Sequence, residues 1–132
     1  MPTSGIYQIR NTVNGSIYIG ASHKIEERFS HHKQELRAGK HYSKALQADW
    51  EKYGESCFEF LVIREIKNSD RYKIQYAYKL DVLEEYYIKK MKPAYNKITP
   101  VGNIDRWFSE IEMLPKKEKQ IELEYWKTLE TE

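Results

Sequence analysis

Residues 5–20 read Gly5-Ile6-Tyr7-Gln8-Ile9-Arg10-Asn11-Thr12-Val13-Asn14-Gly15-Ser16-Ile17-Tyr18-Ile19-Gly20, and this stretch decides the fold class. Two β-rich runs, Ile6 to Ile9 and Ile17 to Ile19, flank a turn containing Asn14-Gly15, the residue pair that tight antiparallel connections favour. The pattern predicts a β-hairpin. Tyr7 and Tyr18 fall in mid-strand, with Gly5 before one and Gly20 after the other, where a missing side chain lets a backbone or a ligand approach. Further along, Ile25, Phe29, His32 and Leu36 recur at helical spacing, and Gly39 can end that helix. Ser43 can cap a second helix that sets Leu46, Trp50 and Tyr53 on one face, with Gly54 as its stop. The run Phe58 to Ile66 predicts a third strand with Phe58, Phe60 and Val62 on one face, Leu61 and Ile63 on the other, and both faces covered. Ser69-Asp70 can cap a long helix to about Met91, with the stripe Tyr72, Tyr76, Leu80, Leu83, Tyr87 and an end forced by Pro93. The order ββααβα predicts an α+β fold (an α/β sandwich): a small sheet with helices packed on its faces.

Length and composition bound what such a fold can do. The chain has 132 residues, room for one compact domain and a short appendage. Its formal net charge of +2 excludes a polycation that binds by bulk charge, so any nucleic-acid surface must be local. The single cysteine, Cys57, allows no internal disulfide, and four histidines without Cys-x-x-Cys spacing give no structural zinc site. A reducing, cytoplasmic setting is expected, with no membrane partner, since no apolar run approaches the length of a span. Charge is uneven: residues 1–97 hold 17 basic against 12 acidic side chains, residues 98–132 hold 5 against 8. With Pro100-Val101-Gly102-Asn103 read as a turn, the expected division is a domain over 1–97 and a C-terminal helical extension over 98–132. The extension offers two amphipathic pieces, one with Trp107, Phe108, Ile111 and Leu114, the other with Ile121, Leu123, Trp126 and Leu129, separated by Pro115. They need an apolar surface, either the body of the chain or a second copy of it.

Taken one at a time, the polar candidates are ambiguous. Tyr7 and Tyr18 could be ordinary strand residues in a chain with 11 tyrosines. Arg28 and His32 stand at i and i+4, so one helix face presents both, yet exposed faces often carry such residues. His41 sits in a loop with Lys40, Tyr42 and Ser43 that could contact phosphate or simply cap a helix. Glu84 follows stripe residue Leu83 and should lie at the edge of the buried face, where a carboxylate needs a basic side chain or a divalent cation.

Together, Gly5-Ile6-Tyr7, ten intervening residues, Tyr18-Ile19-Gly20, then Arg28, His32, His41, Glu84-x-x-x-Ile88 and Pro93-x-Tyr95-Asn96 resemble the GIY-YIG endonuclease family in order and spacing over residues 5–97, and look closest to phage homing-endonuclease catalytic domains. The resemblance implies a three-stranded antiparallel sheet flanked by helices and a metal-dependent DNA endonuclease of limited sequence specificity, in a bacterial or phage-infected cell. It implies Mg²⁺, with Mn²⁺ as a substitute, held by Glu84. It gives Tyr7 to proton transfer, Tyr18 and Arg28 to positioning and charge stabilisation, and His32 and His41 to support of nucleophile and leaving group. Gly5, Gly20 and Asn96 fall to structure. Lys40, Ser43 and Lys44 are the expected DNA contacts.

The chemistry suits those residue types. A free phenol is a poor base at neutral pH, so Tyr7 can take a proton only where a neighbouring cation such as Arg28 favours phenolate. Arg28 offers a permanently charged planar fork for phosphate. One carboxylate suits Mg²⁺, which keeps several waters. Two other readings remain: a nucleic-acid-binding module without turnover, and a self-associating module whose tail recruits a homodimer or a targeting partner.

Overall fold

The computed structural model describes residues 2–67 and 76–131. Strands β1 (Gly5–Asn11) and β2 (Ile17–Ser22) form the expected hairpin, and β3 (Phe58–Glu65) pairs antiparallel with β1 on its other side, giving the order β2-β1-β3. Helices α1 (Ile25–Arg37) and α2 (Lys44–Tyr53) lie between β2 and β3 in the chain, and α3 (Tyr76–Met91) follows β3. A single 3-10 turn, Glu55–Cys57, joins α2 to β3. Helices α4 (Asn103–Glu112) and α5 (Lys116–Glu130) complete an α+β fold of three strands and five helices. The proposed cap at Ser69-Asp70 and stripe residue Tyr72 lie outside the described residues.

Alternation along β1 and β2 divides the interior in two. Tyr7, Ile9 and Tyr18 face α1 and α2, where they join Ile25, Leu36, Leu46, Trp50 and Phe58 in one buried cluster. Ile6 and Ile19 face the other way, onto Leu80, Leu83, Tyr87 and Ile88 of α3, with Leu129 of α5 in the same cluster. Strand β3 departs from expectation. It lies at the sheet edge, and Leu61 and Val62 stay 40% and 45% exposed instead of being covered on both faces. Pairing steps from Tyr7–Val62 to Ile6–Arg64, so Ile63 is an extra residue that bends the edge. Where β1 meets this bulge, a β-carbon on Gly5 would run into the Arg64 carbonyl, which explains the glycine.

Ser43 caps α2, accepting from the Leu46 amide, and α3 ends at Met91, with Lys92 in a left-handed conformation before Pro93. The tail packs on the body of its own chain. Trp107 and Ile111 of α4 cluster with Val82 of α3, and the Glu85 carboxylate, 1% exposed, accepts from the Asn103 amide at 2.9 Å at the start of α4. In α5 the buried stripe differs from the one expected: Ile121 is 39% exposed and Glu122 is buried in its stead. The reason is Lys79 of α3, also buried, whose ammonium lies 3.7 Å from the Glu122 carboxylate and over the Tyr125 ring. No described helix is long and apolar enough to cross a membrane.

Candidate active site

The hairpin delivers Tyr7 to the α1 side of the sheet, and Gly20 is the cross-strand partner that makes room for it. A β-carbon at Gly20 would overlap the Tyr7 ring and hydroxyl. The ring is held edge-on by Phe29 and His32 of α1. Tyr18 packs beside Tyr7, His32 and His41, so both hairpin tyrosines and both loop-and-helix histidines form one aromatic group.

Within it runs a chain of short hydrogen bonds. Tyr7 Oη lies 2.6 Å from His32 Nε2, and His32 Nδ1 lies 2.8 Å from His41 Nε2. At the far end the Ser43 backbone amide donates to His41 Nδ1 at 3.0 Å. That last contact sets the direction of all the others. An amide N–H can only donate, so His41 Nδ1 is unprotonated and neutral His41 carries its proton on Nε2. It therefore donates to His32 Nδ1, and neutral His32 donates from Nε2 to the Tyr7 oxygen. The Tyr7 hydroxyl proton is left to point away from His32. Burial holds both histidines neutral: it lowers the pKa of His32 to about 3, helped by Arg28 and His41, and lowers that of His41 as well.

Arg28 and Glu84 act on the same hydroxyl from outside the aromatic group. Burial pushes the Tyr7 phenol well above its ordinary value; the Arg28 guanidinium pulls it down, and Tyr42 and Glu84 push it further up. Arg28, half-buried, also keeps a distant ion pair with Glu35, at 3.9 Å. Glu84 reaches from α3 toward the end of β2, where the Ala21 amide favours its carboxylate, yet burial first and Asp81 second raise its pKa to about 7. Among the described residues it has no basic partner. A half-buried carboxylate near a negative neighbour, without a basic side chain to neutralise it, is a donor set that fits one oxygen-loving divalent cation. No cluster of three or more His, Cys, Asp or Glu is present among the described residues, so protein ligands alone would not enclose a metal.

Asn96 lies at the same edge. Its side-chain amide accepts from the Ile19 N–H at 2.8 Å and donates to the Ile19 carbonyl at 2.9 Å, while the Tyr95 amide donates to Ile17, so this segment extends the β2 edge. Two clefts flank the group. One, about 460 Å³, is lined by Ser22, His23, Lys24, Glu27, Arg28 and His31 among others. The other, about 280 Å³, is lined by Tyr18, Tyr42, Glu84, Ile88, Asn96 and Lys97 among others.

Three expected DNA contacts fare differently. Ser43 is only 2% exposed, and its hydroxyl donates to the Tyr95 carbonyl at 2.6 Å while accepting from Leu46, so it serves the fold and does not face solvent. Lys40 and Lys44 are exposed but line neither cleft. Gln47 was not legible as a contributor: its side chain accepts from the His41 amide at 3.0 Å and donates to the Leu36 carbonyl, fixing the loop that carries His41. Its signal in the sequence is a polar residue between Leu46 and Trp50 on the buried face of α2.

This fold and this arrangement define a nuclease domain of the GIY-YIG class. The model of the GIY-YIG catalytic domain matches residues 3–99, and the chain belongs to that family. It is 33% identical over 96 residues to intron-associated endonuclease 1 of Enterobacteria phage T4; the match takes in 70% of this chain and 35% of that protein, so the chain spans about a third of the relative's length. Its structure is similar to the catalytic domain of the homing endonuclease I-TevI, with 30% identity, a TM-score of 0.60, and coverage of 72% of this chain and 98% of that one. A variant of that domain with one glutamate replaced by alanine gives 30% identity and a TM-score of 0.62, covering 75% of this chain and 97% of the other.

Proposed function

We propose that the protein is a DNA endonuclease that hydrolyses phosphodiester bonds at the Tyr7–His32–His41 group, with a divalent cation, Mg²⁺ or in its place Mn²⁺, held by Glu84. The observation that carries this reading is the convergence of a phenol, a guanidinium and an otherwise unneutralised carboxylate at the end of one hairpin. A cation bound at Glu84 would supply positive charge for the phosphoryl and leaving oxygens. The chain's own residues supply the rest.

Arg28 presents its fork to the phosphate, and Lys24 in one cleft and Lys97 in the other offer a DNA strand further cationic contacts beside the carboxylates Glu27 and Glu84. Tyr7 accepts hydrogen bonds at its oxygen from His32 and, on the other side, feels Arg28; both interactions favour the phenolate that burial opposes. The Glu84 charge also keeps the phenol protonated, so neutralising that carboxylate eases the loss of the Tyr7 proton and readies it to take one from an attacking water. His32 is a donor to Tyr7 in this arrangement, so its part is to stabilise the phenolate and to hold the ring, with His41 and the Ser43 amide fixing its tautomer. Asn96 and Gly20 position β2 and Tyr7.

We assign residues 98–132 as an extension that stiffens α3 from behind, since Glu85 of α3 caps α4 on the side of the helix away from the Glu84 cleft. The substrate is DNA with limited sequence selectivity, since residues 98–132, with 5 basic against 8 acidic side chains, add no basic surface for reading a duplex. Incubating supercoiled plasmid with the protein and Mg²⁺ tests the reading: nicked circles that EDTA prevents and Glu84→Gln abolishes are expected. Equal nicking by wild type and Glu84→Gln would refute it.

A further inference from the structure

Tyr42 is the one large aromatic of the site left in solvent. It is 46% exposed, although its neighbours Tyr7, Tyr18, His32 and His41 are all buried. Its ring lies nearly parallel to His41, with centroids 4.9 Å apart and 19° between planes, and edge-on to Tyr18 at 6.0 Å. Stacking on a histidine that is itself locked by the Ser43 and Gln47 hydrogen bonds fixes the orientation of the ring before anything binds. The area that remains open borders the cleft of about 280 Å³, whose other walls are apolar at Ile88, Ile98 and Pro100 and basic at Lys97. Ile98 is 75% exposed. A rigid aromatic platform, an apolar wall and a lysine at the rim are what a single nucleotide requires: a face to stack on, a surface for the sugar and base edge, and a charge for the next phosphate.

We propose that this cleft is a subsite for the nucleotide adjoining the scissile phosphate, whose base stacks on the Tyr42 ring. This rests on the nuclease reading, because Tyr18 and Glu84 line the same cleft and a strand whose phosphate lies at Glu84 must place its next nucleotide within one covalent repeat of it. A base inside a paired duplex has both faces covered by its neighbours. Only a base that has left the stack can lie on Tyr42, so the subsite selects DNA with an unpaired nucleotide beside the cut over continuous duplex.

The test uses an oligonucleotide duplex with one unpaired aminopurine and the same duplex fully paired, bound to the full chain without divalent cation so that the strands stay intact. Wild type should quench the unpaired aminopurine and bind that duplex about tenfold more tightly than the paired one, as one stacked base allows. Tyr42→Leu, which keeps bulk but removes the ring, should lose the quenching and bring the two affinities together, and Tyr42→Phe and Tyr42→Trp should retain both. Thermal melting of each variant separates loss of the platform from loss of fold. Equal affinities in wild type, or a preference that survives Tyr42→Leu, would overturn the subsite. Plasmid nicking measured in parallel keeps the two claims apart: nicking without the preference leaves the nuclease reading standing and removes only the subsite, and the preference without nicking overturns the nuclease reading and the subsite's place beside a cut, leaving only a stacking site for an unpaired base.

Discussion

On the face of the sheet that carries Tyr7 and Tyr18, burial encloses a directed chain of hydrogen bonds; on the opposite face it encloses aliphatic and aromatic side chains and the ion pair of Lys79 with Glu122. The two faces differ in what burial accomplishes. On the first, desolvation keeps two histidines neutral and leaves each ring nitrogen one allowed role, so the position and protonation of Tyr7 are fixed by its surroundings. On the second, desolvation contributes packing energy and holds α5 against α3, at a distance from the groups that meet the phosphate. Substitutions on the first face should therefore change rates before they change stability, and substitutions on the second should do the opposite.

The largest effects fall on the catalytic face. Tyr7→Phe and Glu84→Gln should each lower single-turnover DNA cleavage on the order of 10³-fold while leaving the circular dichroism spectrum near that of wild type. Gly20→Ala should come next. Its β-carbon must displace the Tyr7 ring, so cleavage should fall on the order of 10²-fold and stability by about 1–3 kcal/mol, a mixed outcome that marks the residue joining the sheet to the site.

Behind α3 the order reverses. Glu122→Ala removes the carboxylate that faces the buried Lys79 ammonium and should cost about 3–5 kcal/mol in urea denaturation, with the cleavage rate of the folded fraction unchanged. Replacing both partners, Lys79→Met with Glu122→Leu, should recover most of that loss. If the single variant slows cleavage as much as Tyr7→Phe does, the two faces are not separable and the comparison fails.

The smallest effect is the most diagnostic of the electrostatics. His32 has a pKa lowered from 6.5 to about 3, so between those values the unfolded chain binds more protons and stability falls as pH falls. Glu84 has a pKa raised from 4.5 to about 7, so between those values the folded chain binds more protons and stability falls as pH rises. Between pH 4.5 and 6.5 the two slopes oppose each other. Glu84→Gln removes one of them, and stability should then drop on acidification more steeply than in wild type by about 1.4 kcal/mol per pH unit. Parallel stability profiles for the two proteins would show that burial does not set these charges.

Periodicity made most of the fold legible: the hairpin, the stripe Ile25–His32–Leu36, the Ser43 cap, the end of α3 before Pro93 and both tail helices follow from residue spacing alone. What escaped depended on tertiary neighbours. The exposure of Leu61 and Val62 follows from the position of β3 at the sheet edge, which no local pattern encodes. Burial of Glu122 in place of Ile121 depends on Lys79, more than forty residues away in the chain. At the site, single residues were ambiguous and the family resemblance picked out Tyr7, Tyr18, Arg28, His32, His41 and Glu84, which lie around one group in the structure. The loop around His41 also suggested Ser43 for DNA, although its hydroxyl is consumed by Leu46 and Tyr95, and nothing local pointed to Gln47 or Glu85, whose parts are set by what lies across from them.

Cleavage rates of Tyr7→Phe, Glu84→Gln and the double variant, taken under single-turnover conditions with Mg²⁺, test the central claim most directly, since groups that serve one phosphate as a unit give losses that do not multiply. The double variant should cleave about as slowly as the slower single variant. Losses that multiply, or single variants that cut at the wild-type rate, would mean that the phenol and the carboxylate do not act on the same bond.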